Sequence, residues 1–143
     1  MRSSIPKVLH KVAGTSIAQH VIKAVKGLAP AQVVLVVPGN STEEFQGGIG
    51  DDVECVEQPD PLGTGDALRL GLAAVNSDVD QIILVNGDLP LIRAESLQNL
   101  LKEHVAADAD LTLLSSVRPT NLAMDLGKII RNDQGLVVSI EES

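Results

Sequence analysis

The sequence predicts one α/β domain with a mostly parallel sheet, and three observations support this prediction. The chain has 143 residues, the length of a single ordinary domain. Hydrophobic residues make up 44% of it, which is enough for a packed core and too much for a disordered chain. Strand-like and helix-like segments alternate along it, as they do in βαβ units. Aromatic residues contribute only 1%, so the core must be aliphatic.

Helices are predicted where apolar residues recur every three or four positions. The clearest case begins at Thr15 or Ser16, both of which are candidate N-caps. In the third helix Gly71 is a weak point, because a glycine costs up to ~1 kcal/mol in a helix interior. The four predicted helices cover residues 15–28, 41–46, 64–75 and 94–105.

Strands are predicted where aliphatic residues run without interruption, as is typical of strands buried on both faces of a parallel sheet. Near the C-terminus, two further strand-like segments flank Asn132-Asp133-Gln134-Gly135 and predict a β-hairpin. The glycine-rich stretch at 47–50 predicts a flexible turn. The predicted parallel strands cover 32–37, 53–57, 81–85 and 110–116, with 33–37, 53–57, 82–85 and 111–115 as neighbours in one sheet, and the hairpin strands cover 128–131 and 136–140.

Composition excludes several classes of function. The formal net charge of -8 and the lack of aromatic platforms argue against a nucleic-acid partner. The single cysteine, Cys55, excludes an internal disulfide and a cysteine-based zinc site, and its place in a strand suggests a small core residue. No apolar run approaches the ~20 residues of a membrane span, and the N-terminus lacks the apolar stretch of a signal peptide. A cytoplasmic protein without a membrane partner is expected.

Lys7 is the first residue that could carry chemistry. It follows Pro6 and therefore lies on a short, stiff piece of backbone. A positive charge fixed in this way suits a phosphate group. The alternative is an ordinary solvated surface lysine, which is the commoner fate of this residue type.

The second candidate is the loop from Gln58 to Gly65, which joins a predicted strand to a predicted helix. Gly63 and Gly65 allow a ligand to approach the backbone, and free amides at a helix N-terminus can serve acceptor atoms. The carboxamide of Gln58 both donates and accepts, as the edge of a nucleobase requires. The alternative is a plain βα loop in which Thr64 is the N-cap.

The third candidate is Asp88, which follows the apolar run 82–85 directly after Asn86-Gly87. In open α/β sheets, ligands bind in the crevice beyond the carboxyl ends of the strands. A carboxylate at that position suits Mg²⁺, which usually takes one or two carboxylates together with substrate phosphates. The alternative role for Asp88 is that of a turn or helix-capping residue.

Together, these segments resemble a known family. Six motifs occur in the family's order, and they cover nearly the whole chain. The chain resembles the sugar-nucleotide pyrophosphorylases, and among them the uridyltransferase domain of bacterial N-acetylglucosamine-1-phosphate uridyltransferases. The motifs are Ser4-Ile5-Pro6-Lys7-Val8-Leu9-His10, Val12-Ala13-Gly14, Gln58 with Leu62-Gly63-Thr64-Gly65, Asn86-Gly87-Asp88-Leu89-Pro90-Leu91, Leu126-Gly127-Lys128-Ile129 and Ile140-Glu141-Glu142.

The resemblance implies a Rossmann-like nucleotidyltransferase fold and a reaction. The family joins UTP to N-acetylglucosamine 1-phosphate, which gives UDP-N-acetylglucosamine and pyrophosphate, with Mg²⁺ as cofactor. By resemblance, Lys7 is the catalytic contact to the nucleotide phosphates and Asp88 is the metal ligand. The implied uracil contacts are Gln58, Gly63 and Thr64, and the implied sugar contacts are Gly127 and Glu142.

The resemblance also implies what the 143 residues lack. The family begins with a strand and a loop of the form Leu-x-Ala-Gly-x-Gly-Thr-Arg-Met, and Met1 aligns with the last residue of that loop. Residues 1–143 are therefore expected to form a partial pyrophosphorylase domain without measurable uridyltransferase activity. Exposed sheet edges would favour pairing between chains and a homo-oligomer. Two alternatives stay open: a non-catalytic nucleotide-binding or assembly module, and a nucleotidyltransferase for another sugar or nucleotide.

Overall fold

A computed structural model describes residues 5–50, 52–117 and 127–141 of the chain. The chain divides into two compact units, residues 1–112 and 113–143, which we describe separately. The first unit is a mixed α/β structure and the second contains a hairpin. The helices of the first unit are α1 Ile17–Lys26, α2 Thr42–Ile49, α3 Thr64–Ala73 and α4 Ala94–Ala106, and its strands are β1 Lys11–Val12, β2 Thr15–Ser16, β3 Val34–Pro38 and β4 Glu54–Gln58.

The first unit begins with a short 3₁₀ turn, Lys7–Leu9, followed by a small hairpin of β1 and β2. Ala13 and Gly14 connect the two strands with positive φ angles of 51° and 84°, as both central residues of a type I′ turn require. The sequence analysis did not predict this hairpin. Alanine is rare in the left-handed region, so the local sequence carries little turn signal.

Helix α1 begins as its sequence predicts. The Ser16 side chain accepts a hydrogen bond from the Gln19 amide at 3.2 Å, and the Gln19 side chain accepts one from the Ser16 amide at 3.1 Å. This capping box satisfies two amides that the first turn of the helix leaves without partners. Ser16, rather than Thr15, is therefore the N-cap, and Thr15 belongs to β2.

The centre of the first unit is the parallel pair β3 and β4, in register from Val34 opposite Glu54 to Pro38 opposite Gln58. Helix α3 packs on this pair at Gly71, where an added Cβ would lie 3.3 Å from Val36 Cγ2. The glycine that weakens α3 in isolation thus permits its close approach to the sheet.

The core of the first unit is aliphatic around one aromatic ring. Phe45 of α2 is 2% exposed and belongs to the same buried cluster as Val37 of β3. Cys55 is half-buried against this cluster, and burial raises the pKa of its thiol, which agrees with its predicted role as a small core residue. The buried members of the cluster are Ala18, Ile22, Val37, Phe45, Ile49 and Val53.

Two details of the predicted secondary structure were wrong. Residues 82–85 and 111–115 are not assigned to strands in the part of the chain that the structure describes, so the parallel pairing extends only over β3 and β4. Ile82 and Leu84 remain about half exposed, at 48% and 51%, because no neighbouring strand covers them in that part. The pattern predicts burial, but a strand also needs a partner for its backbone.

The glycine-rich stretch was the second error. Gly47 and Gly48 lie inside α2, which continues to Ile49 and is capped by Gly50, with a φ of 99°. Phe45 and Ile49 are both buried and lie four residues apart on one face of the helix. Their packing outweighs the low helix propensity of the glycines between them.

The second unit contains the predicted hairpin. Strands β5 Lys128–Arg131 and β6 Val137–Glu141 are antiparallel, with a register shift at Ile130 and Arg131. The Asn132 side chain accepts hydrogen bonds from the amides of Gln134 and Leu136, at 3.1 and 2.9 Å, which closes the turn. Among the residues described in both units, no helix is long and apolar enough to cross a membrane.

Candidate nucleotide and metal site

Lys7 and Asp88 form an ion pair although 81 positions separate them. Lys7 Nζ donates to Asp88 Oδ2 at 2.9 Å, and the two side chains are 63% and 42% exposed. The Val8 side chain also reaches this turn, since an added Cβ on Gly87 would lie 3.8 Å from Val8 Cγ1. The 3₁₀ turn thus places Lys7 beside the turn that follows residues 82–85. A cation and a carboxylate, both accessible to solvent, are available to one ligand.

Gln58 lies at the carboxyl end of β4 and holds the loop that leads into α3. Its Nε2 donates to the Gly63 carbonyl at 3.1 Å and to Asp66 Oδ2 at 3.0 Å. Arg69 contacts the other carboxylate oxygen of Asp66, at 2.8 Å from its Nη2. The hydrogen bond from Gln58, and next the one from Arg69, lower the pKa of Asp66.

The Gln58–Asp66 contact determines which polar atom of the Gln58 carboxamide is available to a ligand. With both hydrogen bonds donated by Nε2, Oε1 is the atom left to receive a donor from a ligand. No protein group donates to Oε1 within the described residues. Asp66 and Arg69 were not among the predicted site residues. A sequence pattern could have indicated them: Asp66 lies in the first turn of a predicted helix, three positions after Gly63, and Arg69 follows three positions later.

Gly63, rather than Thr64, is the N-cap of α3, and Thr64 is the first helical residue. The φ of Gly63 is 94° and its ψ is -178°, a conformation that is open essentially to glycine alone. Apart from its chain neighbours, no described residue has an atom within 4 Å of where the Cβ of residue 63 would be, so the space beside the backbone is free of them. The amides of the first turn carry the partial positive charge of a helix N-terminus.

The predicted site residues are only partly assembled by these contacts. Hydrogen bonds join Lys7 to Asp88 and Gln58 to Gly63, but within the described residues none joins one pair to the other. Gly127 lies in the second unit, where an added Cβ would lie 3.8 Å from Ile140 Cγ2. Glu142 lies outside the described residues.

The carboxylate at Asp88 suits one kind of metal site. The described ranges contain no group of three or more histidine, cysteine, aspartate or glutamate side chains that could hold a metal ion. A site made wholly of protein ligands is therefore not present there. Asp88 Oδ1 has no protein partner in those ranges, and a single accessible carboxylate fits Mg²⁺ that keeps its waters and binds substrate phosphates.

Comparison with known proteins identifies the family of the chain. The model of the MobA-like NTP transferase domain matches residues 1–123. The chain is 40% identical over 142 residues to "Bifunctional protein GlmU" of Streptococcus equi subsp. zooepidemicus, which is 99% of this chain and 30% of the relative. The protein of the same name from Mycobacterium marinum is 37% identical over 150 residues, with the same coverage of both chains. The chain thus spans less than a third of these relatives' length.

A solved structure agrees on the fold. The crystal structure of Rv0371c from Mycobacterium tuberculosis H37Rv superposes with a TM-score of 0.60, covering 73% of this chain and 55% of that one. Its 23% sequence identity supports a shared fold alone. The fold therefore agrees with the predicted Rossmann-like α/β class, and the matched residues 1–123 contain Lys7, Gln58, Gly63 and Asp88. The chain belongs to the family of MobA-like NTP transferase domains.

Proposed function

We propose that the chain is the nucleotide-binding part of a uridyltransferase that transfers UMP from UTP to N-acetylglucosamine 1-phosphate. The observation that carries this proposal is the Lys7–Asp88 contact of 2.9 Å, because it joins a phosphate-binding cation to a metal-binding carboxylate. The order of the motifs and the similarity to proteins named GlmU support the choice of this reaction within the family.

In this proposal, the sugar phosphate attacks the α-phosphorus of UTP in line with the departing pyrophosphate. The attacking phosphate oxygen is already a nucleophile, so no side chain has to remove a proton. Mg²⁺, when bound, neutralises charge on the phosphates, and Asp88 would hold it. Lys7 would leave Asp88 to contact the phosphates, where its charge stabilises the transition state.

Base selection would depend on Gln58. The N3–H of uracil is a donor, and Gln58 Oε1 is the free acceptor of the fixed carboxamide. The uracil carbonyl oxygens would accept hydrogen bonds from the backbone amides beside Gly63 and Thr64. Cytosine has an acceptor at N3 in place of the donor. Its N3 and Gln58 Oε1 would then be two acceptors that repel each other, which disfavours CTP. Gly127 and Glu142 are proposed as the sugar contacts.

Calorimetric titration of the chain with UTP and CTP, with and without Mg²⁺, tests the nucleotide site. We expect UTP to bind more tightly than CTP and Mg²⁺ to strengthen the binding of UTP. Lys11→Ala is the matched control for Lys7→Ala, because Lys11 is an exposed lysine on the neighbouring hairpin. Equal binding of UTP and CTP, or Lys7→Ala binding UTP as tightly as Lys11→Ala does, would contradict the proposal.

A second measurement separates the enzyme from a non-catalytic nucleotide-binding module. Pyrophosphate release is followed with UTP, Mg²⁺ and N-acetylglucosamine 1-phosphate, and then with glucose 1-phosphate as the alternative acceptor. Release that requires the N-acetylated sugar and is lost in Asp88→Asn supports the uridyltransferase. A form of the protein extended by the family's glycine-rich loop is the one to assay, because residues 1–143 alone are expected to release no pyrophosphate. UTP binding without pyrophosphate release in that extended form supports the non-catalytic module instead.

A further inference from the structure

The nitrogen of the Gln58 carboxamide is fully used within the protein. The backbone of Gln58 is fixed at the end of β4, because the Gly39 amide donates to its carbonyl at 2.8 Å. The side-chain Nε2 has two acceptors, the Gly63 carbonyl and Asp66 Oδ2, for its two hydrogens. A carboxamide nitrogen has no further hydrogen to donate and does not accept. Gln58 can therefore serve a ligand only as an acceptor, through Oε1.

Asp66 imposes this orientation on the carboxamide. An ionised carboxylate accepts but cannot donate, so Gln58 has to direct its nitrogen, and not its oxygen, toward Asp66. The Asp66 side chain is only 16% exposed, so little water competes for it. The acceptor character of Gln58 thus depends on a carboxylate at position 66 that stays ionised and stays turned toward β4.

Asp66 also has competing donors in its own helix. It is the third residue of α3, and the N-cap of that helix, Gly63, has no side chain to pair with the first-turn amides. A carboxylate in the first turn can turn toward those amides instead. Arg69 opposes this movement, because its Nε and Nη2 both donate to Asp66 Oδ1, at 3.1 and 2.8 Å. The guanidinium occupies one carboxylate oxygen and leaves Oδ2 to Gln58.

We propose that Arg69 is a positioning residue for base selection, which holds Asp66 and through it keeps Gln58 an acceptor toward the nucleotide. This inference rests on the proposed uridyltransferase function, since it concerns the contact between Gln58 Oε1 and the N3–H of uracil. The Arg69 side chain is 70% exposed and acts through Asp66 rather than on the base. All of these contacts lie within residues 58–69, a single strand–loop–helix segment.

Two simpler roles for Arg69 predict a different result. A positive charge near the site would attract any nucleoside triphosphate, and it would strengthen UTP and CTP equally because both carry the same phosphates. A role in the stability of α3 would likewise affect both nucleotides together. Only a relay through Asp66 to Gln58 changes the binding of one base relative to the other. The ratio of the two dissociation constants therefore separates positioning from both simpler roles.

Calorimetric titration of the chain with UTP and CTP, each with Mg²⁺, measures this ratio. Arg69→Ala should lower the preference for UTP at least threefold. Arg69→Lys keeps the charge but lacks the planar fork of donors, so it should give an intermediate preference. Lys102→Ala is the matched control, because it removes an exposed positive charge from another helix, α4. A preference in Arg69→Ala equal to that of Lys102→Ala would overturn the proposal.

A double variant tests whether Arg69 acts through Asp66. In Asp66→Asn the relay is already broken, so the further change Arg69→Ala should alter the preference for UTP by less than about twofold. If the two changes instead reduce the preference independently, so that their effects multiply, Arg69 does not act through Asp66 and the proposal is wrong.

A measurement without nucleotide keeps this test separate from the proposed function. By NMR, the carboxamide protons of Gln58 should exchange with water at least tenfold more slowly than those of the exposed Gln46. Arg69→Ala should reduce that difference at least threefold, and Lys102→Ala should not. Unchanged Gln58 protons in Arg69→Ala would overturn the role of Arg69 even if UTP binds. If the wild type binds neither UTP nor CTP, the uridyltransferase proposal fails, and the Gln58 protons alone then decide whether Arg69 orients Gln58.

Discussion

Lys7 Nζ lies 2.9 Å from Asp88 Oδ2, so each of these two residues occupies the position that the other's ligand would take. A phosphate that binds Lys7 competes with Asp88, and a metal ion that binds Asp88 competes with Lys7. A nucleotide that carries its own Mg²⁺ can replace both contacts at once. Under the proposed function, we therefore expect the pair to favour the metal–nucleotide complex over either component alone.

The first prediction follows from this competition. Lys7→Ala should weaken UTP binding about tenfold or more, because a charge-assisted contact to phosphate is lost. The same variant should bind Mg²⁺ more tightly in the absence of nucleotide, because Asp88 is freed. Titration calorimetry with each ligand measures both effects. The unfolding free energy should change by less than about 1 kcal/mol, since the pair is exposed. Loss of affinity for both ligands would show that Lys7 does not compete with the metal.

The second prediction concerns base selection. Asp66→Asn should reduce the preference for UTP over CTP, because an amide at position 66 can donate as well as accept and no longer fixes the Gln58 carboxamide. Asp60→Asn, an exposed change in the same loop, should leave the preference unchanged. The ratio of the two dissociation constants is the measurement. A ratio that stays at the wild-type value in Asp66→Asn would mean that Gln58 is oriented by other contacts.

The third prediction compares two glycines of one loop. Gly63→Ala should lower the free energy of unfolding by about 1 kcal/mol or more, because the φ of 94° excludes a Cβ. Gly65→Ala lies in the first turn of α3 with open space around it, and it should raise that free energy by up to about 1 kcal/mol. Urea unfolding monitored by circular dichroism measures both. Equal effects of the two changes would contradict the backbone argument.

The fourth prediction concerns acid. The folded-state pKa of Asp66 is lowered from its ordinary 3.8, first by Gln58 and then by Arg69. The stabilisation from this carboxylate is therefore complete above about pH 4 and is lost as the pH falls through the lowered pKa. Unfolding free energies measured between pH 7 and pH 2.5 should decrease less steeply in Asp66→Asn than in the wild type. Parallel curves for the two proteins would show that Asp66 is not stabilised by folding.

The fifth prediction tests the core. Phe45→Ala should lower the unfolding free energy by about 3–5 kcal/mol, since a buried ring is removed and a cavity left. That is a large share of the 5–15 kcal/mol typical of a whole domain. Leu91→Ala, at an 89% exposed position, should change it by less than 0.5 kcal/mol. Thermal unfolding of the two variants measures the difference.

Local patterns predicted best the elements whose stabilising contacts are themselves local. The capping box at Ser16 and the turn at Asn132 both lie within four residues of their partners, and α1 and the hairpin followed their patterns. Strands β3 and β4 were also predicted, from their aliphatic runs, although they pair with each other across an intervening helix. Helix α2 depended on the burial of Phe45 and Ile49, which a glycine-rich stretch conceals. Residues 82–85 have the composition of a strand, but composition does not reveal which neighbour is available.

The candidate site shows the same division. Gln58, Gly63 and Asp88 could be selected because each follows a strand-like segment and has suitable chemistry. That Lys7 reaches Asp88 depends on a fold that joins positions 81 residues apart, which no local pattern encodes. Asp66 was missed because an acidic residue in the first turn of a helix is already accounted for by the helix dipole. Its hydrogen bond to Gln58 is visible only in the folded structure.

The lone aromatic residue has a practical consequence for every one of these measurements. The chain contains no tryptophan or tyrosine, so it has almost no absorbance at 280 nm and no useful intrinsic fluorescence. Concentration has to be measured from the peptide bond or by refractive index. In return, the ring protons of Phe45 are the only carbocyclic aromatic signals in an NMR spectrum. Because that ring is 2% exposed, their shifts report the packing of the core at a single residue, without any label.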